Sequence, residues 1–236
     1  MTGDGRRLQD EITETLRASR SAEADIIGTM PAEVRDGPGL DGGWSPKDIQ
    51  AHLTGWKERQ AERFAAARLG ESVDGPVEDL DAINAELHAG RADWTWDQIA
   101  DEAVQVTARL IAEIETTDLA TLTGSPRLLG GSIGNGASHS MEHLARLARV
   151  TGTGDERVLS FAREIEAIIR ASAFPDPDKA TFIYNQACYH ALAGRLDEAR
   201  DLLPEAFSMR PDLVEWAQQD SDLAEIRDEL AVLAAG

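Results

Sequence analysis

Leu8, Ile12 and Leu16 recur every fourth residue, and comparable apolar stripes return three more times before residue 150. Ile49, His52, Leu53, Trp56, Gln60, Phe64 and Ala67 trace one broad face of a second helix. Ile99, Ala103, Val106, Leu110, Ile111 and Ile114 line a third, and SHSMEHLARLARV, residues 138–150, carries a fourth. Two of these helices begin with clear start signals. Ser45 is an N-cap before Pro46 at the first helical position, and Asp48 favours the positive helix start. Thr95 and Gln98 of TWDQ form a capping box. Four helices with one face each to bury are satisfied by packing on one another. The sequence therefore predicts an all-α fold built on a four-helix bundle. TGSPRLLGG, residues 123–131, reads as a loop, with the fourth helix running from about Ser132 to Val150. DLDAINAELHAG reads as a short helix within a loose acidic connection.

The side chains available for the core agree with helices. Hydrophobic residues make up 42% of the chain but aromatics only 5%, so Leu, Ile, Val and Ala must fill the interior. A net charge of −20 argues against nucleic acid and anionic membranes as partners, because phosphate-binding surfaces need clustered Lys and Arg. No stretch approaches the roughly 18 apolar residues of a membrane span, and the N-terminus lacks the apolar run of a secretory signal. A single cysteine, Cys188, leaves no internal disulfide framework and fits a reducing compartment. The expected location is cytoplasmic.

TGTGD, residues 151–155, marks a boundary, dividing the chain into residues 1–152 and 153–236. After one more helix at 156–172, closed by FPDPD, comes ATFIYNQACYHALAGRLDEARDLLPEAFSMRPD. Ala187, Gly194, Ala199, Leu203, Ala206 and Pro211 stand there at tetratricopeptide-like offsets, with LVEWAQQDSDLAEIRDEL as a partial second repeat. A generic helical hairpin is the alternative reading of the same offsets. One and a half repeats cannot bury a solenoid core, since stable arrays need about three. The segment is therefore expected to join the 156–172 helix and to dock on the bundle, on a second copy of the chain or on a protein partner.

His139 and His143 are four residues apart in a chain of only five histidines. Helical residues at that spacing share a surface, so both imidazoles can reach one metal ion. The pair alone is weak evidence, because such spacings arise by chance. His52 adds to it. It lies on the inward stripe of the second helix, where a buried imidazole needs partners for both a donor and an acceptor. HSMEH also fits H-x-x-E-H, the inverted zinc-protease pattern, with Glu142 as general base, an acidic third ligand elsewhere and His52 incidental.

WSPKDIQAHLTGW on the second helix, together with HSMEH on the fourth, resembles the DinB-like superfamily of four-helix bundles, which includes bacillithiol- and mycothiol-dependent transferases and isomerases. Trp44, His52, His139 and His143 match its pattern in type and order. DAINAELHAGRADWTWDQI is similar to the connection in the branch related to colibactin self-resistance proteins. The resemblance covers residues 5–152 and leaves the C-terminal segment outside it. It implies that His52, His139 and His143 bind a divalent metal, and zinc, nickel and iron all suit imidazole. It also implies an enzyme acting on a small-molecule substrate in detoxification or stress response, by transfer of a low-molecular-weight thiol such as bacillithiol or mycothiol, or by metal-assisted hydrolysis. Trp56 and Asn84 are pocket candidates by position. No further catalytic acid or base stands out beside the histidines. The alternative is a non-enzymatic metal-binding bundle whose repeat segment serves protein interaction. Because all three ligands precede residue 152, metal binding is expected not to need the C-terminal segment.

Overall fold

A computed structural model describes residues 3–37, 39, 43–73, 75, 79–152 and 155–234. The fold is all-α. Helix α1 spans Gly3–Ile26, α2 Pro46–Arg68, α3 Leu80–Ala89 and α4 Trp96–Thr116. Next come α5, Pro126–Ile133, and α6, His139–Thr151, joined without a break by a π-helical turn at Gly134–Ser138. Helices α7 (Asp155–Ala171), α8 (Asp176–Leu192) and α9 (Leu196–Met209) complete the series of longer helices. No helix among the described residues is long and apolar enough to cross a membrane.

Helix α4 packs against both α1 and α2, and the α5–π–α6 segment runs along α1 and α2. The stripes read from the sequence meet in one core that includes Leu8, Ile12, Leu16, Ile49, Leu53, Phe64, Leu110, Ile114 and Leu144. Both start signals operate. The Ser45 hydroxyl accepts from the Asp48 amide while the Ser45 amide donates to Asp48 Oδ2 at 3.0 Å, and Thr95 and Gln98 make the same reciprocal pair. The Ser45 cap fixes where α2, the carrier of His52, begins. Ser45→Ala should cost about 1 kcal/mol, read as a lower urea midpoint at unchanged slope.

Residues 123–131 are not the expected loop. Helix α5 starts at Pro126, whose missing amide costs nothing at the first helical position. The buried Gln60 amide of α2 donates to the carbonyls of Arg127 and Leu128, at 2.9 and 3.2 Å. Gly131, which reads locally as a breaker, leaves room for that approach. A Cβ there would lie 2.6 Å from Gln60 Oε1.

Residues 153 and 154 of the TGTGD boundary lie outside the described residues. The core nonetheless continues past them. Val158, Leu159, Ala162, Ile165 and Ile169 of α7 join the core of the preceding helices, with α7 laid along α1. The same helix also packs on α8 of the hairpin, so it joins the C-terminal helices, as expected, while lying along α1. Helices α8 and α9 pack on each other around a second cluster, including Tyr184, Ala187, Leu203 and Phe207. Beyond α9 the chain forms a short helix, Leu213–Ala217, and a 3-10 segment, Ser221–Glu229, in place of a second long repeat helix. Phe182, Tyr189 and Leu192 turn the other side of α8 into the first core.

Candidate metal centre

His52 arrives on α2, and His139 and His143 occupy the first and fifth positions of α6. One ring nitrogen from each lies within 4.8 Å of those of the other two. His139 is central: its Nε2 is 3.1 Å from His52 Nε2 and 3.2 Å from His143 Nε2. One imidazole nitrogen carries either one proton or one in-plane lone pair. It cannot serve two such contacts as ordinary hydrogen bonds. A single cation that accepts a lone pair from each ring resolves the conflict. Two nitrogens about 2.05 Å from a tetrahedral ion would be about 3.3 Å apart, close to the spacings found. The donor set therefore fits a divalent metal.

The electrostatics favour the ligand form of His139. Burial, followed by the neighbouring His143 and His52, holds its imidazole well below the usual histidine range, so the ring is neutral at pH 7. His52, incidental in the inverted zinc-protease reading, is buried beside the pair. Glu142 lines the adjacent cavity but is ion-paired with Arg146 at 2.9 Å.

The histidines form one wall of a cavity of about 480 Å³. The two position-based candidates, Trp56 and Asn84, both line it. They bond each other, the Trp56 indole N–H donating to Asn84 Oδ1 at 3.0 Å. An indole N–H can only donate, so this contact fixes which end of the Asn84 amide faces Trp56. Trp44 also lines the cavity. Its ring is 4.6 Å from that of His52 and stacks on His88 at 5.7 Å. His88 therefore closes α3 against a tryptophan instead of standing alone in a loose connection.

Directly behind the centre lies a charged cluster that the stripes alone do not reveal. Glu23 of α1 is fully buried and ion-paired with Lys57 of α2, itself 1% exposed. Glu23 also accepts from Gln50 at 2.9 Å and from Ser140 at 2.6 Å, with Arg20 at 3.6 Å. Burial alone would raise the Glu23 pKa, but Lys57, Arg20 and the hydrogen bonds outweigh it and hold the carboxyl below its usual range. Burial pulls the Lys57 ammonium down; Glu23 opposes that shift and Arg20 adds to it. One signal was available in the sequence. Glu23 follows Leu16 by seven residues and Lys57 follows Leu53 by four, which puts both charges on apolar stripes.

Comparisons with known proteins speak to the fold only. No family model and no curated protein matches the chain. Among solved structures, the crystal structure of an uncharacterised protein from Escherichia coli UTI89 is similar at 17% identity, covering 62% of this chain and 94% of that one with a TM-score of 0.55.

Proposed function

We propose that the chain is a DinB-like, metal-dependent enzyme that acts on a small molecule through a centre formed by His52, His139 and His143. The observation that carries this reading is the double contact at His139 Nε2, where two further imidazole nitrogens converge at 3.1 and 3.2 Å, the spacing expected of ligands to one cation. Zinc, nickel and iron all suit such a ligand set. Three protein ligands leave a position open on the metal, where the ion would acidify a bound water or thiol or polarise a carbonyl. The chain's own residues then divide the remaining work. Trp44 and Trp56 wall the cavity with apolar rings, Asn84 is held in one orientation, and buried Leu53 and Ile49 close α2 behind His52.

Thiol transfer from bacillithiol or mycothiol and hydrolysis are the two reaction classes that the proposed centre supports. A reducing, cytoplasmic setting suits both, as it suits the buried free thiol of Cys188. The C-terminal hairpin is also available for pairing with a second copy of the chain or another protein.

The first test is metal analysis of purified protein after incubation with zinc, nickel or iron(II). About one equivalent per chain is expected, lost in His52→Ala. Metal-loaded protein is then assayed for conjugation of bacillithiol or mycothiol to electrophiles and for hydrolysis of small esters and amides. Substoichiometric metal in wild type, or equal metal in His52→Ala, overturns the assignment of the centre.

A further inference from the structure

The two residues that flank His139 are both held from elsewhere in the molecule. On its C-terminal side, the Ser140 hydroxyl donates to the buried carboxylate of Glu23 at 2.6 Å. On its N-terminal side stands Ser138, the last residue of the π-helical turn, and its partners come from α8. The Tyr189 hydroxyl donates to the Ser138 carbonyl at 2.9 Å, and the Asn185 amide donates to the Ser138 hydroxyl. Tyr189 is buried, and burial pushes its phenol well above the ordinary range, so it remains a proton donor. Farther along α6, Arg146 joins Glu142 to Asp222 of the 3-10 segment, at 2.9 and 3.6 Å.

The π turn gives these contacts their purpose. The His139 amide bonds to the Gly134 carbonyl, five residues back, so the backbone just ahead of the central ligand is wider than an α turn. Short π segments of this kind are uncommon and often accompany functional sites. The last residue of this turn is held by two side chains of α8.

We propose that the C-terminal hairpin is a positioning element of the metal centre, with Tyr189 and Asn185 clamping Ser138 so that His139 meets His52 and His143. This rests on the metal reading above and reverses the sequence expectation that metal binding is independent of the C-terminal segment. Groups that hydrogen-bond a metal ligand directly typically change affinity by about 10–100-fold, and a clamp on the adjoining residue should act at the lower end of that range.

The test uses the full chain in three forms: wild type, Tyr189→Phe and Tyr184→Phe. Tyr184 is the internal control. It also lies on α8, is buried, and donates its hydroxyl at 2.7 Å, but to Asp220 rather than to Ser138. Zinc affinity is measured by competition with a chromogenic chelator, and the ligand field by the visible spectrum of the cobalt(II) form. Tyr189→Phe should bind zinc about tenfold more weakly, with an altered cobalt spectrum and an unchanged far-ultraviolet helical signal. Tyr184→Phe should lose stability but keep wild-type affinity and spectrum. Equal affinity in Tyr189→Phe and wild type overturns the clamp, as does an equal loss in both variants. A wild type that binds neither zinc nor cobalt removes the metal reading itself, and the clamp with it.

Discussion

Glu23→Ala should destabilise the chain by about 3–5 kcal/mol, because it strands the Lys57 ammonium in the interior. For a chain of this length each kcal/mol lowers the melting temperature by about 2–4 °C, so a fall of about 10 °C is expected. Replacing both partners, Glu23→Leu with Lys57→Met, should recover most of that loss, since apolar residues of similar volume can replace a buried pair at little or no cost. The acid limb supplies a second readout. Because the folded Glu23 pKa is lowered, its contribution is fully present above the unfolded value near 4.5 and is lost as pH falls through the folded value. Wild type should therefore lose stability in that window, and the doubly replaced protein should lose less. A single variant that melts with wild type would show that the pair is not buried in solution.

His139→Ala should abolish the metal-induced rise in melting temperature while leaving the metal-free protein folded. Binding confined to the folded state stabilises by about 2.7 kcal/mol when metal is at a hundred times its dissociation constant. His139 is in contact with both other imidazoles, so its loss leaves two nitrogens without the member between them. Affinity should fall by more than the 10–100-fold typical of an outer partner. His139 is only half-buried, whereas Met141 and Leu144 beside it are 1% and 0% exposed, so α6 keeps its packing. Identical metal-induced shifts in wild type and variant would remove His139 from the ligand set.

Elements whose stability is local were legible in the sequence. Ser45 with Pro46, and Thr95 with Gln98, announce their helices because a cap and its recipient amide lie within three residues. The stripes of α1, α2 and α4 announce the core because one helical period sets them all. His52 was tied to the His139–His143 pair by its place on the inward stripe of α2 and by the resemblance, since residues 52 and 139 are 87 positions apart and no local rule joins them. The features that stayed hidden depend on partners distant in sequence. Residues 123–131 read as loop because the Gln60 amide that supports the first turn of α5 comes from another helix. Glu23 and Lys57 fall on apolar stripes, but nothing local makes them partners until α1 and α2 are laid side by side. The clamp on Ser138 arrives from α8, 47 and 51 residues later.

The π turn at 134–138 also bears on how such a centre can be gained or lost in descent. Each residue of an α-helix turns the chain by about 100°. A π turn closes on a fifth residue instead of a fourth, so it holds one residue more than an unbroken helix from α5 into α6 would. Removing a single codon within 134–138 would restore a regular helix and swing His139 and His143 about a quarter-turn away from His52. The spacing of the two histidines and the amphipathic pattern after them would survive intact. Descendants with and without the three-histidine cluster could thus carry the same HxxxH letters, distinguished only by the length of the glycine-containing stretch before them.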